Sequence, residues 1–392
     1  MPEQSLLPSS GSAANAACHL EAGQRRVLRR LWESGPASRI EIARGLHLRP
    51  NEVGKLVEVL RGHQLVHEGE PVPSAGGRPR VPLLLDPTTR HVVGVAVAPG
   101  EVLAVRLNLL GEAAGKTHRR KVATPGRLVS SAAAALRQVC DDETVAVGVS
   151  VTGFVDVEAR RLLFSSAMPG ARPVSLQPLF DAAPAAVVVQ NDMHALAAQW
   201  LLSRRVTAEQ EALLVKVDDG SVGGALIVNG RPNRGSVLSG NEIGHMRCQA
   251  PTPRCYCGHT GCLERVFSTA YYRKLTGRRS ATLFAAAEAY DGSDEALNQI
   301  LSHLARGIAN VTNFARPHRL VVVSPLARHR RVMDALLAGV RREVLDVLLD
   351  RLTIDQWDHS NSSTAESAGW LALAGLYYGG WQSPDRQEVT SG

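Results

Sequence analysis

Three thiols and an imidazole fall within eighteen residues of this chain, at His245, Cys255, Cys257 and Cys262. Donors of that type and number can close a tetrahedral shell around zinc, and such a shell, with no carboxylate and no open position, is structural. Cys255 and Cys257 flank a single residue, so their side chains converge on an ion more easily than on each other, and Gly258 and Gly261 free the backbone to wrap it. Cys248 is a further thiol close by, and the sequence leaves open whether it or His245 completes the shell. Only six cysteines occur in 392 residues, so four of them within fifteen positions is not the scatter of reduced core thiols.

A second constellation is Asn191-Asp192, which follows the apolar run 186–190 and precedes a helical pattern at 194–203. A carboxylate placed there is presented to a ligand at the carboxyl edge of a sheet. The same pair would also serve as a plain helix cap.

The elements that must position these groups are those of an α/β protein. Short apolar or alternating runs at 92–98, 102–107, 145–151 and 186–189 read as strands, with helical patterns at 128–139 and 194–203 between them. A second set begins near residue 212, with strands at 213–217 and 224–228 and helices at 281–290 and 294–312. A last helix at 363–378 is rich in Ala and Leu and carries Gly369, Trp370 and Tyr377, for which core packing is a sufficient account. The length allows two or three domains with a core that needs no disulfides. Apolar stretches fall short of a membrane span, and the first residues are small and polar, so a soluble cytoplasmic protein with a disordered leader at 1–19 is expected.

Residues 20–90 hold twelve Lys and Arg against eight Asp and Glu, an excess of four positive charges out of the chain's +7. That region reads as three short helices. Leu20, Val27, Leu28 and Leu31 recur at helical spacing until Gly35-Pro36; Ser38 and Glu41 form a capping box for a second helix over 40–46; Pro50 opens a third. The third helix, 50–61, buries Val53, Leu56, Val57 and Leu60 and shows Asn51, Glu52, Lys55 and Glu58. A tight turn between the last two helices makes a helix-turn-helix with 50–61 as recognition helix. Two strands, 65–68 and 81–85, then flank a tip containing Gly76-Gly77-Arg78-Pro79-Arg80, in which arginines can enter a narrow minor groove. Asn51, Glu52, Lys55, Arg78 and Arg80 are the expected DNA-contacting residues. Arg49, at the cap position of the recognition helix, lacks an acceptor oxygen, and the carboxylates Glu52 and Glu58 face the side from which phosphates approach.

Taken together, Gly240-Asn-Glu242-Ile-Gly244-His245, then Cys255-x-Cys257-Gly-x-x-Gly-Cys262-Leu-Glu264, and the Gly-Gly-Arg-Pro tip resemble the ROK family of bacterial repressors and sugar kinases, over residues 20 to about 385. The resemblance implies an amino-terminal winged helix-turn-helix (20–88) and a two-lobed actin-like, ribonuclease-H-like body. Its first lobe would be 89–203, completed by 363–380, and its second lobe 204–362 with the zinc loop. It further implies that Asn191, Asp192, Glu242, His245 and Glu264 meet sugar hydroxyls, Asp192 standing where the kinases keep their general base. By the same resemblance His245 gives one ring nitrogen to zinc and the other to the sugar.

The kinase equipment is depleted. Where the resembled kinases carry an Asp-x-Gly-Gly-Thr phosphate loop, this chain has Ala96-Val-Ala98-Pro99-Gly100, losing the carboxylate and an amide N–H. Ser324-Pro325-Leu326 replaces a glycine-rich nucleotide turn, while Gly220, Gly223 and Gly224 are kept. In the sugar half, Ala167, Ala171 and His194 stand where the family has an asparagine, an aromatic and an asparagine. The expected function is therefore a sugar-sensing transcriptional repressor, not an enzyme, acting as a homodimer or homotetramer on double-stranded DNA without membrane association. An ATP-dependent sugar kinase and a regulator controlled by a protein partner are the alternatives. Arg78→Ala is expected to weaken operator binding by about 1–3 kcal/mol in an anisotropy titration; an unchanged affinity would make the tip a linker.

Overall fold

In the computed structural model, which describes residues 20–73, 79–165, 173–203, 211–233, 241–359 and 363–379, the amino-terminal unit is three helices and a small sheet. The first helix, Ala22–Ser34, buries Val27, Leu28, Leu31 and Trp32 on one stripe and ends at Gly35, whose φ of 76° suits glycine. The second, Arg39–Leu46, starts at the expected capping box: the Ser38 N–H donates to Glu41 Oε2 at 2.8 Å and the Glu41 N–H to Ser38 Oγ at 3.4 Å. The third, Pro50–Gly62, turns Val53, Val57 and Leu60 inward, while Leu56 is only partly buried. Pro82–Leu85 lies between Val66–Glu68 and Ala37–Ser38 in an antiparallel sheet. The sequence reading gave two of these strands; the third is the two-residue link that enters the second helix. The leader 1–19 and the tip residues Gly76, Gly77 and Arg78 lie outside the described residues. At the base of the tip Val72 and Arg80 exchange backbone hydrogen bonds at 2.7 and 2.9 Å.

The body contains two five-stranded sheets with one topology. In the first, Ala186–Asn191, Thr144–Val151 and His91–Ala98 run parallel, and Glu101–Asn108 and His118–Lys121 extend the sheet antiparallel. In the second, Thr353–Trp357, Arg319–Val323 and Ala212–Asp218 run parallel, and Ser221–Val228 and Arg231–Pro232 extend it antiparallel. The central strands of the first sheet are buried on both faces, which explains their near-continuous Val and Ala runs. The strands Arg319–Val323 and Thr353–Trp357 and the helix Arg330–Glu343 were not assigned from sequence. A further antiparallel sheet of Phe154–Asp156, Arg161–Phe164 and Val174–Ser175 overhangs the first.

The helix Ser363–Tyr378 returns the chain to the first sheet. Gly94 and Gly148 are paired on adjacent strands, and a Cβ on either would collide with backbone of this helix, at the Ala365 and Ala368 carbonyl oxygens. The helix therefore lies on the sheet backbone to backbone. Its other contacts were not foreseen. Trp32 of the amino-terminal unit stacks on Tyr377 and meets Trp370 edge-on, both at 5.5 Å between ring centroids. Tyr378 donates to Glu33 at 3.1 Å, and Arg29 sits 4.5 Å above its ring. Arg90 adds a second tie, donating to the His63 carbonyl at 3.2 Å and to that of Asp142 at 2.9 Å. One continuous apolar cluster thus runs from Val27 and Trp32 through Trp370 into the first sheet.

Gly148→Ala is expected to cost at least about 3 kcal/mol, the upper range of overpacking, because the atoms it meets are backbone. Gly54→Ala, at a helix position with nothing within 4 Å of the added carbon, should instead stabilise by up to about 1 kcal/mol. Paired thermal or urea melts check both; equal effects would disprove the backbone contact.

Candidate functional site

The carboxyl edge of the first sheet supplies one wall of a cleft. Val97, Val151 and Asn191 are in register across the three parallel strands, so Thr152 and Asp192 follow at the same level. Asn191 is fully committed: its Nδ2 donates to the Gly153 carbonyl at 2.7 Å and its Oδ1 accepts from the Met193 N–H at 2.8 Å, fixing the start of the helix Asp192–Ser203. Both sequence readings of Asn191-Asp192 are therefore present in one place, as a helix start and as part of the cleft wall. Asp192 accepts from Met193 N–H at 3.1 Å and from the Thr152 hydroxyl at 3.4 Å. Burial holds its carboxyl above the usual carboxylate range, with Lys216 pulling the other way.

The opposite wall comes from the hairpin Ala212–Asp218/Ser221–Val228 and the segment after it. Lys216, Ser221, Gly223, Asn241, Glu242, Tyr256 and Glu264 face Asp192 across a cleft. Gly223 and Gly224 serve the packing of this hairpin, since a Cβ on them would press on Met193 and Ile243 at 2.8 and 2.9 Å. Burial, and after it the neighbouring Asp192 and Glu264 charges, push Glu242 up to about 7 against the pull of His245.

His245, Cys255, Cys257 and Cys262 form one cluster, with every ligand atom within 4.8 Å of the others. Cys257 Sγ and Cys262 Sγ are 3.5 Å apart, and Cys255 Sγ and His245 Nδ1 3.7 Å. Donors at the usual zinc bond lengths would stand about 3.6–3.8 Å apart along the edges of a tetrahedron, so the four side chains fit a tetrahedral ion. Gly258 and Gly261 take φ of 93° and 80°, as the wrapping loop requires. Cys248, the alternative fourth donor, is not in the cluster and instead holds the loop through its N–H, which donates to the Gly261 carbonyl at 2.6 Å.

The same imidazole joins cluster and cleft. His245 Nε2 lies 3.1 Å from the Tyr256 hydroxyl and 3.8 Å from Glu242 Oε2, on the side away from the thiols. Tyr256 donates to Glu264 Oε2 at 3.1 Å, and the Cys255 thiol to Glu264 Oε1 at 2.9 Å. Tyr256 stacks at 5.6 Å on Phe164, which reaches over from the overhanging sheet. Asp192, Glu242 and Glu264 are thus brought together, with Asn191 behind them and His245 at the rim. Thr152, Phe164, Lys216, Asn241 and Tyr256 were missed. Lys216 had a signal, as the lone charge inside an apolar strand; Tyr256 had one in lying between two ligands. Ala167, Ala171 and Gly240 lie outside the described residues, and His194 is turned from the cleft toward the Asn233 carbonyl at 3.2 Å.

On the amino-terminal unit, Asn51, Glu52 and Lys55 are exposed and share a shallow concavity with Arg49 and Pro50. Arg49 makes no side-chain cap. Arg80 is ion-paired with Glu41 at 3.0 Å. Among the described residues no helix is long and apolar enough to cross a membrane.

A family model described as the ROK family matches residues 104–376. The DNA-binding transcriptional dual regulator NagC of Escherichia coli (strain K12) is 24% identical over 365 residues, spanning 86% of this chain and 89% of its own. The DNA-binding transcriptional repressor Mlc of the same organism is 24% identical over 384 residues, spanning 90% and 93%. A crystal structure of a ROK family transcriptional regulator, homolog of the E. coli MLC protein, superposes with a TM-score of 0.74 at 20% identity, over 91% of this chain and 96% of that one, so the fold is shared. The family match takes in strands of both sheets, the thiol cluster and every residue named in the cleft, and this chain belongs to the ROK family.

Proposed function

We propose that this chain is a transcriptional repressor that binds double-stranded DNA through a winged helix-turn-helix at 20–88 and senses a sugar or sugar derivative in the cleft of a two-lobed body. The observation that carries the reading is the cleft itself. Asp192, Glu242 and Glu264 offer carboxylate acceptors to hydroxyl groups, and Lys216 offers a donor, around one cleft. Geometry of that kind rejects ligands lacking hydroxyls, because its buried acceptors would be left unpaired.

The phosphate-handling side lacks its counterpart. The turn Ala98-Pro99-Gly100 lies at the same sheet edge as Asp192, between His91–Ala98 and Glu101–Asn108, but offers no carboxylate for a metal and no N–H at Pro99. A cytoplasmic sensor without phosphoryl transfer follows. The match to the repressor Mlc spans 90% of this chain and so reaches into the amino-terminal unit, which supports the DNA-binding assignment.

Zinc is the ion that three thiolates and an imidazole would hold, and it would supply structure, not chemistry. Its role falls to residues of this chain: with Nδ1 held, His245 keeps Nε2 turned to Tyr256 and Glu242, and Glu264 is fixed by Tyr256. Ligand closing the walls would move the first sheet, and the stack of Trp32 on Tyr377 would carry that movement to the DNA-binding unit. Reading a palindrome requires at least two such units, hence a homodimer or homotetramer.

A thermal-shift screen of zinc-loaded protein against hexoses, amino sugars, their phosphates and ATP with magnesium tests the reading. Stabilisation by a sugar and none by ATP is expected; stabilisation by ATP would reinstate a kinase, and silence from every sugar would remove the sensor. Cys257→Ser should release the metal, as measured by elemental analysis, and abolish the sugar-induced shift while the chain still binds DNA. Metal content unchanged by that substitution would refute the site.

A further inference from the structure

The recognition helix proposed above carries a carboxylate, Glu52, with no ion-pair partner among the described residues, and its chemistry selects a base. Glu58 and Glu68 are taken up by Arg39 at 3.3 and 2.8 Å, with Arg61 also 3.3 Å from Glu58, and Glu41 is taken up by Arg80. Glu52 makes no ion pair with any described residue, although Arg49 and Lys55 border the same concavity. It is exposed in the first turn of Pro50–Gly62, between Asn51 and the buried Val53, so it projects from the outward face of that helix and not toward the core.

A carboxylate accepts hydrogen bonds and cannot donate, so phosphates repel it and only base edges bearing donors attract it. In the major groove guanine and thymine present acceptors to it. The adenine N6 donor lies between two acceptors, its own N7 and thymine O4, whereas the cytosine 4-amino donor has an acceptor, guanine O6, on one side only. Lys55 stands three residues on, on the same face of the helix, and supplies the donor that guanine O6 and N7 require.

Resting on the DNA-binding reading, we infer that Glu52 makes this protein specific for a C·G base pair in each half-site. Its carboxylate accepts from the cytosine 4-amino group while Lys55 donates to a guanine in the same base-pair step.

The test is selection of full-length, zinc-loaded protein on a pool of duplexes with a randomised core, followed by anisotropy titrations on the selected duplex and its single-base variants. The expected sites carry one invariant C·G pair per half-site, and replacing it by T·A weakens wild-type binding by roughly five- to a hundredfold. Glu52→Ala should bind the two duplexes within about twofold of each other, with an unchanged circular dichroism spectrum. Glu52→Gln should move the preference at that position to A·T, since an amide pairs bidentately with adenine. A selected site without an invariant C·G pair, or the same preference retained by Glu52→Ala, overturns the inference and leaves the DNA-binding reading standing. Failure to enrich any duplex overturns both.

Discussion

The close contact between the carboxyl-terminal helix and the paired glycines Gly94 and Gly148 is the constraint on which the arrangement of this molecule rests. Any larger side chain at those two strand positions would lift the helix off the sheet. Lifted, it would no longer hold Trp370 and Tyr377 where Trp32 meets them, and the amino-terminal unit would keep only its Arg90 tie. Glycine in a strand ordinarily weakens it. Here the loss is offset by burial of Leu371, Leu373 and Tyr377 in the cluster that unites the two parts.

The cleft follows from the repeated topology. Each sheet ends its parallel strands at one edge, and the two walls are an edge of the first sheet and a hairpin of the second. Neither wall is complete alone. The cation that opposes burial at Asp192, Lys216, comes from the other sheet, and the ring stacked on Phe164 comes from the loop of the thiol cluster. A site assembled in this way changes its electrostatics with the separation of its walls, which is the physical basis on which a ligand can shift a conformational equilibrium.

Local structure was legible where one signal dominated. The helices Leu128–Val139 and Ser363–Tyr378 fall where helical spacing placed them, and the Ser38–Glu41 box caps the helix it was read to cap. Arg319–Val323 is a buried parallel strand, a short continuous apolar run whose periodicity does not separate it from a helix segment. Thr353–Trp357 carries Asp and Gln on a sheet edge, and so lacks the alternation that marks a strand. At the site, the thiols and His245 were legible from residue type and spacing, Asp192 from its place after an apolar strand, and Glu242 and Glu264 only through the family resemblance. Thr152 and Phe164 were not legible, because their proximity is created by the crossing of distant strands, whereas Lys216 stood out only as a charge inside an apolar strand. Cys248 could be separated from the clustered donors only in three dimensions, since its distance along the chain is no greater than theirs.

The glycine contact also orders events in time. Ala365 and Ala368 are the backbone partners of strands that were synthesised more than two hundred residues earlier. Contacts of such sequence separation carry a large loop-closure cost and form late. On the ribosome the first sheet therefore waits with one face bare until the final helix emerges, and Trp32 waits with it. A chain that stops short of residue 363 would lack Trp370 and Tyr377, the aromatic seat of Trp32, and would hold its amino-terminal unit through Arg90 without them.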